Sequence, residues 1–323
     1  MEAVSTYAIP IVPEEVIRGG ISVQKRDAEF DRPAQPQGDA DLAATLDIYN
    51  RSESSVIVNG VSYAPGKIVY TLTTDAKTGA ASTSADLLPF GDYELVERPG
   101  GQPQGYLNTG KLRQAFSITE NGKIVDLKTD AGAIKNDVIR GGVYVEKWDA
   151  ELGENKAQGG GSLDVTVEIA NIGENPVLVG GKEYAPGEVV YTMTLDREGR
   201  GSTPDAYYLP YSTYEVRETV VSEGYLATGV LTRTFTIRKH GEMVRLDTAA
   251  TALKNNPIRG DLRGVKISDS DGRRMAGIPF EIRSLTTGEA HIAVTDKNGE
   301  FNTASSWNPH SQNTNRGETD RDG

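Results

Sequence analysis

The stretch Val16-Ile17-Arg18-Gly19-Gly20-Ile21-Ser22-Val23-Gln24-Lys25-Arg26-Asp27 returns later in the chain. There it reads Val138-Ile139-Arg140-Gly141-Gly142-Val143-Tyr144-Val145-Glu146-Lys147-Trp148-Asp149. Each copy opens on Val-Ile-Arg-Gly-Gly and then alternates. Ile21, Val23 and Lys25 share one phase, as do Val143, Val145 and Lys147, which is the period-two signature of a β-strand. Other matches follow in the same order: Tyr63-Ala64-Pro65-Gly66 with Tyr184-Ala185-Pro186-Gly187, Leu88-Pro89-Phe90 with Leu209-Pro210-Tyr211, and Gly105-Tyr106-Leu107 with Gly224-Tyr225-Leu226. Ile134-Lys135-Asn136 aligns with Leu253-Lys254-Asn255. Self-similarity at a nearly fixed offset marks a tandem array. We therefore read an N-terminal extension over 1–16, repeats over 17–137 and 138–256, and an incomplete third unit over 257–323 that opens on Ile258-Arg259-Gly260.

The rest of each repeat is also strand-like. Phe116-Ser117-Ile118 and Phe235-Thr236-Ile237 read as strands, and turns stand at Asn121-Gly122, His240-Gly241 and Asn298-Gly299. Gly- and Asn-centred turns between β-rich runs indicate hairpins. The expected class is all-β: sandwiches joined end to end. The junctions contain no Ser- or Gly-rich tether, which predicts a stiff, monomeric rod.

Composition narrows the function. The 323 residues carry a formal net charge of -12. That argues against nucleic acid, whose phosphates require clustered Lys and Arg, and against anionic membranes. No run approaches 18 apolar residues, so nothing inserts into a membrane by helix. Residues 1–16 lack the basic start and apolar run of a signal peptide. Both ends read as those of a fragment, with any export signal or wall anchor outside it. There is no cysteine, so an exported chain needs a brace other than a disulfide.

Three polar residues in each repeat fall in the apolar phase. Lys25 is in phase with Ile21 and Val23, Glu97 with Tyr93 and Leu95, and Asn136 with Ile134. Lys147, Glu218 and Asn255 repeat the arrangement. Taken singly, each fits a strand end emerging into water, and a Lys–Glu ion pair at the rim is another account, because these residue types are mostly exposed. Recurrence of all three weakens coincidence, although repeats share ancestry.

Val23-Gln24-Lys25-Arg26-Asp27, Val145-Glu146-Lys147-Trp148-Asp149, the late Tyr-x-Leu/Val-x-Glu strands and the terminal Asn strands resemble the Cna-B or SpaA-like (prealbumin-like) domains of Gram-positive surface adhesins and pilins. The resemblance covers nearly the whole chain from residue 17. It implies β-sandwiches of reversed immunoglobulin type and a self-made isopeptide bond between Lys25 and Asn136 with Glu97 as promoting acid. In the second repeat it implies Lys147 bonded to Asn255 with Glu218. The chemistry suits these residues: burial drives a lysine toward its neutral, nucleophilic form and a glutamate toward the acid. The resemblance also implies a structural stalk on the bacterial cell surface or wall, with host extracellular matrix or other surface subunits as partners. The chain is then no enzyme beyond a single turnover on itself, and needs no cofactor or metal. Two other readings stay open: a module that itself grips a host glycan or matrix protein, and spacer domains of a secreted carbohydrate-active enzyme.

In the third unit Gly264-Val265-Lys266-Ile267-Ser268-Asp269 places one extra residue between Lys and Asp. Lys266 is a first-strand lysine without partners in this fragment. Arg274 to Ile282 is similar to the family's second strand, and 294–299 to one of its turns. Arg259-Gly260-Asp261 is an integrin-type tripeptide, but Arg18-Gly19-Gly20 and Arg140-Gly141-Gly142 at the other junctions favour a drifted linker. Asp269-Ser270-Asp271-Gly272 starts like a calcium loop but lacks the later acidic ligand, which favours a turn. His240, His291 and His310 have no metal spacing. Tyr207-Tyr208, opposite Asp86-Leu87, is the one aromatic difference between the copies that hints at a binding face.

Overall fold

The computed structural model describes residues 14–285, 288 and 290–303. Most of the expected N-terminal extension, His310 and the end of the third unit lie outside them. Every named element is a β-strand. The chain divides into two compact units, Met1–Ile139 with Glu174–Leu178, and Arg140–Gly173 with Val179–Gly323.

The first repeat is a two-sheet sandwich. One sheet has the order Ile124–Leu127, Arg18–Asp27, Ile134–Val138, Tyr106–Lys111, and Ala80–Ser82 and Leu88–Pro89 also pair with Arg18–Asp27. The other runs Arg113–Ile118, Gly91–Glu97, Thr45–Asn50, Ile68–Thr73. The inner faces supply the core: Ile21, Val23 and Ile134 from the first sheet meet Leu46, Ile48, Tyr93, Leu95 and Phe116 from the second. Each large side chain buried here contributes about 1.5–3 kcal/mol relative to exposure. Tyr93 stacks on Phe116 with ring centroids 5.6 Å apart, and its hydroxyl donates to the Pro89 carbonyl at 2.9 Å. The phenol is thereby buried without an orphaned polar group.

The second repeat copies this plan. Arg200–Ser202, Arg140–Asp149, Leu253–Pro257 and Tyr225–Val230 form one sheet, joined by Leu209–Pro210 and Met243–Leu246. Val189–Thr194, Thr166–Asn171, Thr213–Val220 and Thr232–Thr236 form the other. Tyr214 stacks on Phe235 at 5.5 Å and donates to the Pro210 carbonyl at 2.9 Å.

In both sandwiches the first strand pairs in parallel with the last. Lys25 lies opposite Ile134 and Asp27 opposite Asn136; Lys147 lies opposite Leu253 and Asp149 opposite Asn255. A parallel pair needs a crossover rather than a tight turn. Here the crossover is the remainder of the domain.

The third unit shows Arg263–Val265 paired with Glu300–Asn302 and Pro279–Arg283 with Ala290–Val294. Ser268 to Arg273 is a turn, with Gly272 N–H donating to the Ser268 carbonyl at 3.0 Å and Asp271 accepting from Arg273 N–H at 3.2 Å.

Candidate functional site

The three core-phase polar residues meet between the sheets. Lys25, Asn136, Lys147 and Asn255 are fully buried, Glu97 is 1% exposed, and the Glu218 side chain is 2% exposed. The strand-end reading therefore fails for all six. The register explains how they converge. Lys25 and Asn136 sit on neighbouring parallel strands, two positions out of step and in the same phase, so they are diagonal neighbours on the inner face, within reach of a long side chain. Glu97 comes from the opposite sheet, where it pairs with Leu46. Lys147, Asn255 and Glu218 are placed by the same register, with Glu218 opposite Val167.

The polar contacts differ between the copies. In the first, Asn136 Nδ2 donates to Glu97 Oε1 at 2.8 Å and to the Thr109 carbonyl at 3.2 Å, while Lys25 Nζ donates to the Arg26 carbonyl at 2.9 Å. In the second, Lys147 Nζ meets Glu218 Oε2 at 2.5 Å, and Asn255 Nδ2 donates to the Thr228 carbonyl at 3.4 Å. A Lys–Glu ion pair does exist there, but in the interior rather than at the rim.

Both copies strand the same two atoms. Glu97 Oε2 and Asn136 Oδ1 are buried without a hydrogen-bond partner, as are Glu218 Oε1 and Asn255 Oδ1. Two acceptors left without a donor cost roughly 1–3 kcal/mol each. A proton on Glu97 would make that group a donor as well as an acceptor, which is what an orphaned amide oxygen lacks. The electrostatics point the same way. Burial pushes Glu97 above the usual carboxylate range, partly offset by the Lys25 charge and the Asn136 hydrogen bond. Burial pushes the Lys25 ammonium down to about 8, against the pull of Glu97, Asp27 and Asp137. Lys147 is also pushed down by burial, against its hydrogen bond to Glu218 and the charge of that group.

Three further recurrent residues surround the site. Asp27 and Asp149 are fully buried two positions after the lysines. Tyr106 and Tyr225, 2% and 5% exposed, bond to them through their hydroxyls. Gly110 and Gly229 lie opposite Asn136 and Asn255 with φ of 104° and 117°. A Cβ on Gly110 would sit 2.6 Å from the Lys135 carbonyl oxygen, and one on Gly229 would sit 2.4 Å from that of Lys254. Glycine lets the neighbouring strand close on the asparagine strand. The signal for the tyrosines was present in the recurrent Gly-Tyr-Leu. For the aspartates it was the recurrent Lys-x-Asp.

Other candidates are placed plainly. Lys266 is half-buried, and among the described residues its side chain makes no hydrogen bond or ion pair. The Arg259 guanidinium of the Arg-Gly-Asp tripeptide is held by Glu151, with Nε donating to Oε1 at 2.8 Å. Tyr208 is half-buried, edge-on to Tyr191 at 5.1 Å, and Tyr207 leans on His240 at 5.1 Å. His240 Nδ1 accepts from Arg140 N–H at 3.2 Å.

Similar solved structures include several pilins and the Bacillus anthracis TIE protein. The TIE protein matches at 19% identity over 88% of this chain and 43% of its own, with a TM-score of 0.49. A streptococcal ancillary pilin matches at 22% identity over 76% of this chain and 64% of its own, with a TM-score of 0.30. The major pilin protein T-13 of Streptococcus pyogenes matches at 12% identity over 75% of this chain and 99% of its own, with a TM-score of 0.32. The chain thus spans less than two thirds of the first two. No family model and no curated protein matches it.

Proposed function

We propose that this chain is a stalk segment of a bacterial cell-surface adhesin or pilus-like protein, and that each repeat staples itself with an isopeptide bond. Lys25 bonds to Asn136 with Glu97 as promoting acid, and Lys147 bonds to Asn255 with Glu218. The observation that carries the proposal is the recurrent orphaned pair, a glutamate oxygen and an asparagine carbonyl oxygen sealed in the core beside a buried lysine. The motif resemblance supplies the setting on a Gram-positive surface.

The steps follow from the groups present. The lysine Nζ gives a proton to the glutamate, leaving a neutral amine and a neutral acid; in the second repeat the 2.5 Å contact is the path. The acid donates to the asparagine Oδ1 and polarises Cγ. The amine attacks Cγ, the Cγ–Nδ2 bond breaks, and the glutamate relays a proton from Nζ to Nδ2, which leaves as ammonia. The product is a secondary amide and the original carboxyl group, with one ammonia lost per bond. In the first repeat, burial favours both neutral reactants.

The mechanical consequence follows from the parallel register. Tension entering at Arg18 and leaving at Val138 runs along the first strand to Lys25, through the bond to Asn136, and out. Residues 26–135 are then off the force path, so the sandwich holds without a disulfide. Intact mass is the test: the mature protein falls two ammonias short of its sequence mass. Glu97→Ala and Glu218→Ala each restore one. A wild-type mass equal to the sequence mass defeats the proposal.

A further inference from the structure

Beside each reactive trio lies a second buried polar group that the chemistry above does not use. Asp27 follows Lys25 by two residues on the first strand and lies opposite Asn136 on the last. Its Oδ1 accepts from Glu29 N–H and Phe30 N–H at 2.8 Å each, and its Oδ2 from Gln37 Nε2 at 3.1 Å. The Tyr106 hydroxyl bonds to the same carboxylate and accepts from Gln37 N–H at 3.3 Å. The second repeat rebuilds this with Asp149. Tyr225 donates to its Oδ2 at 2.8 Å, Gln158 Nε2 donates to both oxygens at 3.1 Å, and Gln158 N–H donates to the Tyr225 hydroxyl at 3.0 Å.

The tyrosine touches both halves of the problem. Tyr106 lies opposite Val138 on the asparagine-bearing strand, and its ring face lies under Lys25, with Nζ 5.5 Å from the centroid. The ring is anchored at its far end by a hydroxyl that both donates and accepts, so it cannot turn aside. A long lysine side chain has many rotamers, and a fixed wall on one side removes those that point away from the opposite sheet.

We infer that Asp27 with Tyr106 is a positioning pair for the crosslinking reaction of the first repeat: the carboxylate pins the ring, and the ring face holds the lysine amine against the asparagine. This rests on the crosslink reading above and adds two residues to it; the second repeat rebuilds the anchored ring with Asp149 and Tyr225. The charged and titratable groups facing Lys25 are Glu97, Asp27, Asp137 and Tyr106. The Asp27 carboxylate favours the ammonium there, so it also sets the pH at which the amine becomes available.

The test uses the full chain carrying Glu218→Ala, which isolates the first site. The protein is made by cell-free synthesis, quenched at intervals and weighed intact, so that loss of one ammonia is followed in time across a pH series. Folding of each variant is checked by circular dichroism. Tyr106→Leu is expected to slow the loss by about tenfold or more, and Tyr106→Phe, which keeps the wall and loses the anchor, by less. Asp27→Asn is expected to move the rate–pH profile to lower pH, a change that a turn-capping role alone does not produce. Tyr106→Leu reacting at the parent rate while folded, or an Asp27→Asn profile that stays in place, overturns the inference. If Tyr106→Leu does not fold, Tyr106→Phe at the parent rate with an unmoved Asp27→Asn profile overturns it equally. If the Glu218→Ala parent itself loses no ammonia, the crosslink reading fails first and the positioning role falls with it.

Discussion

Asn136→Ala separates the buried lysine from the bond it is proposed to make. The variant keeps Lys25 and Glu97 but removes the carbonyl carbon, so Lys25 stays a titratable amine. Burial holds its pKa at about 8 rather than 10.5. At about 1.36 kcal/mol per unit, the folded first repeat is penalised by about 3 kcal/mol while the unfolded chain holds that proton. The sign is set by proton counts. Between pH 8 and 10.5 the unfolded state binds the proton and the folded state does not, so stability rises with pH. Below 8 both bind it, and the penalty is fully present. From pH 7 to 9.5 the variant is expected to gain about 2 kcal/mol in urea unfolding of the first repeat. With the proposed bond, the wild type would carry an amide at that position in both states and gain nothing from it. The decisive quantity is the difference between the two proteins across pH, because their surface groups titrate alike. A difference that stays flat refutes either the burial-driven shift or the conversion of Lys25 to an amide.

Other outcomes follow from the same geometry. Glu97→Ala opens a loop of about 111 residues and is expected to lower the stability of the first repeat by about 4–5 kcal/mol, seen as an earlier melt and faster proteolysis. Tyr93→Phe removes the hydroxyl bonded to the Pro89 carbonyl and is expected to cost about 1–2 kcal/mol in chemical denaturation, with the crosslink mass unchanged. Gly110→Ala forces a Cβ into the Lys135 carbonyl oxygen at φ 104° and is expected to cost at least about 1–3 kcal/mol. In that variant, intact mass over time should show slower ammonia loss at the first site.

The division between sequence and structure can be drawn residue by residue. The repeat, the strand period through Ile21, Val23 and Lys25, and the Gly-centred turns are local features, readable because alternation and turn chemistry act over a few residues. The apolar phase of Lys25, Glu97 and Asn136 was legible for the same reason. Their depth was not, because phase along a strand says which face a side chain takes and nothing about what covers that face. Whether Lys25 emerged at a rim or lay sealed was decided by the opposite sheet, which brings Glu97 to it. Its diagonal approach to Asn136 was decided by a parallel pairing across more than a hundred residues of sequence. Asp27 and Tyr106 look like a strand-end turn residue and a packing aromatic when read singly. Only the closed sandwich joins them, because the hydrogen bond between them spans three strands of one sheet and exists only once the first and last strands lie side by side.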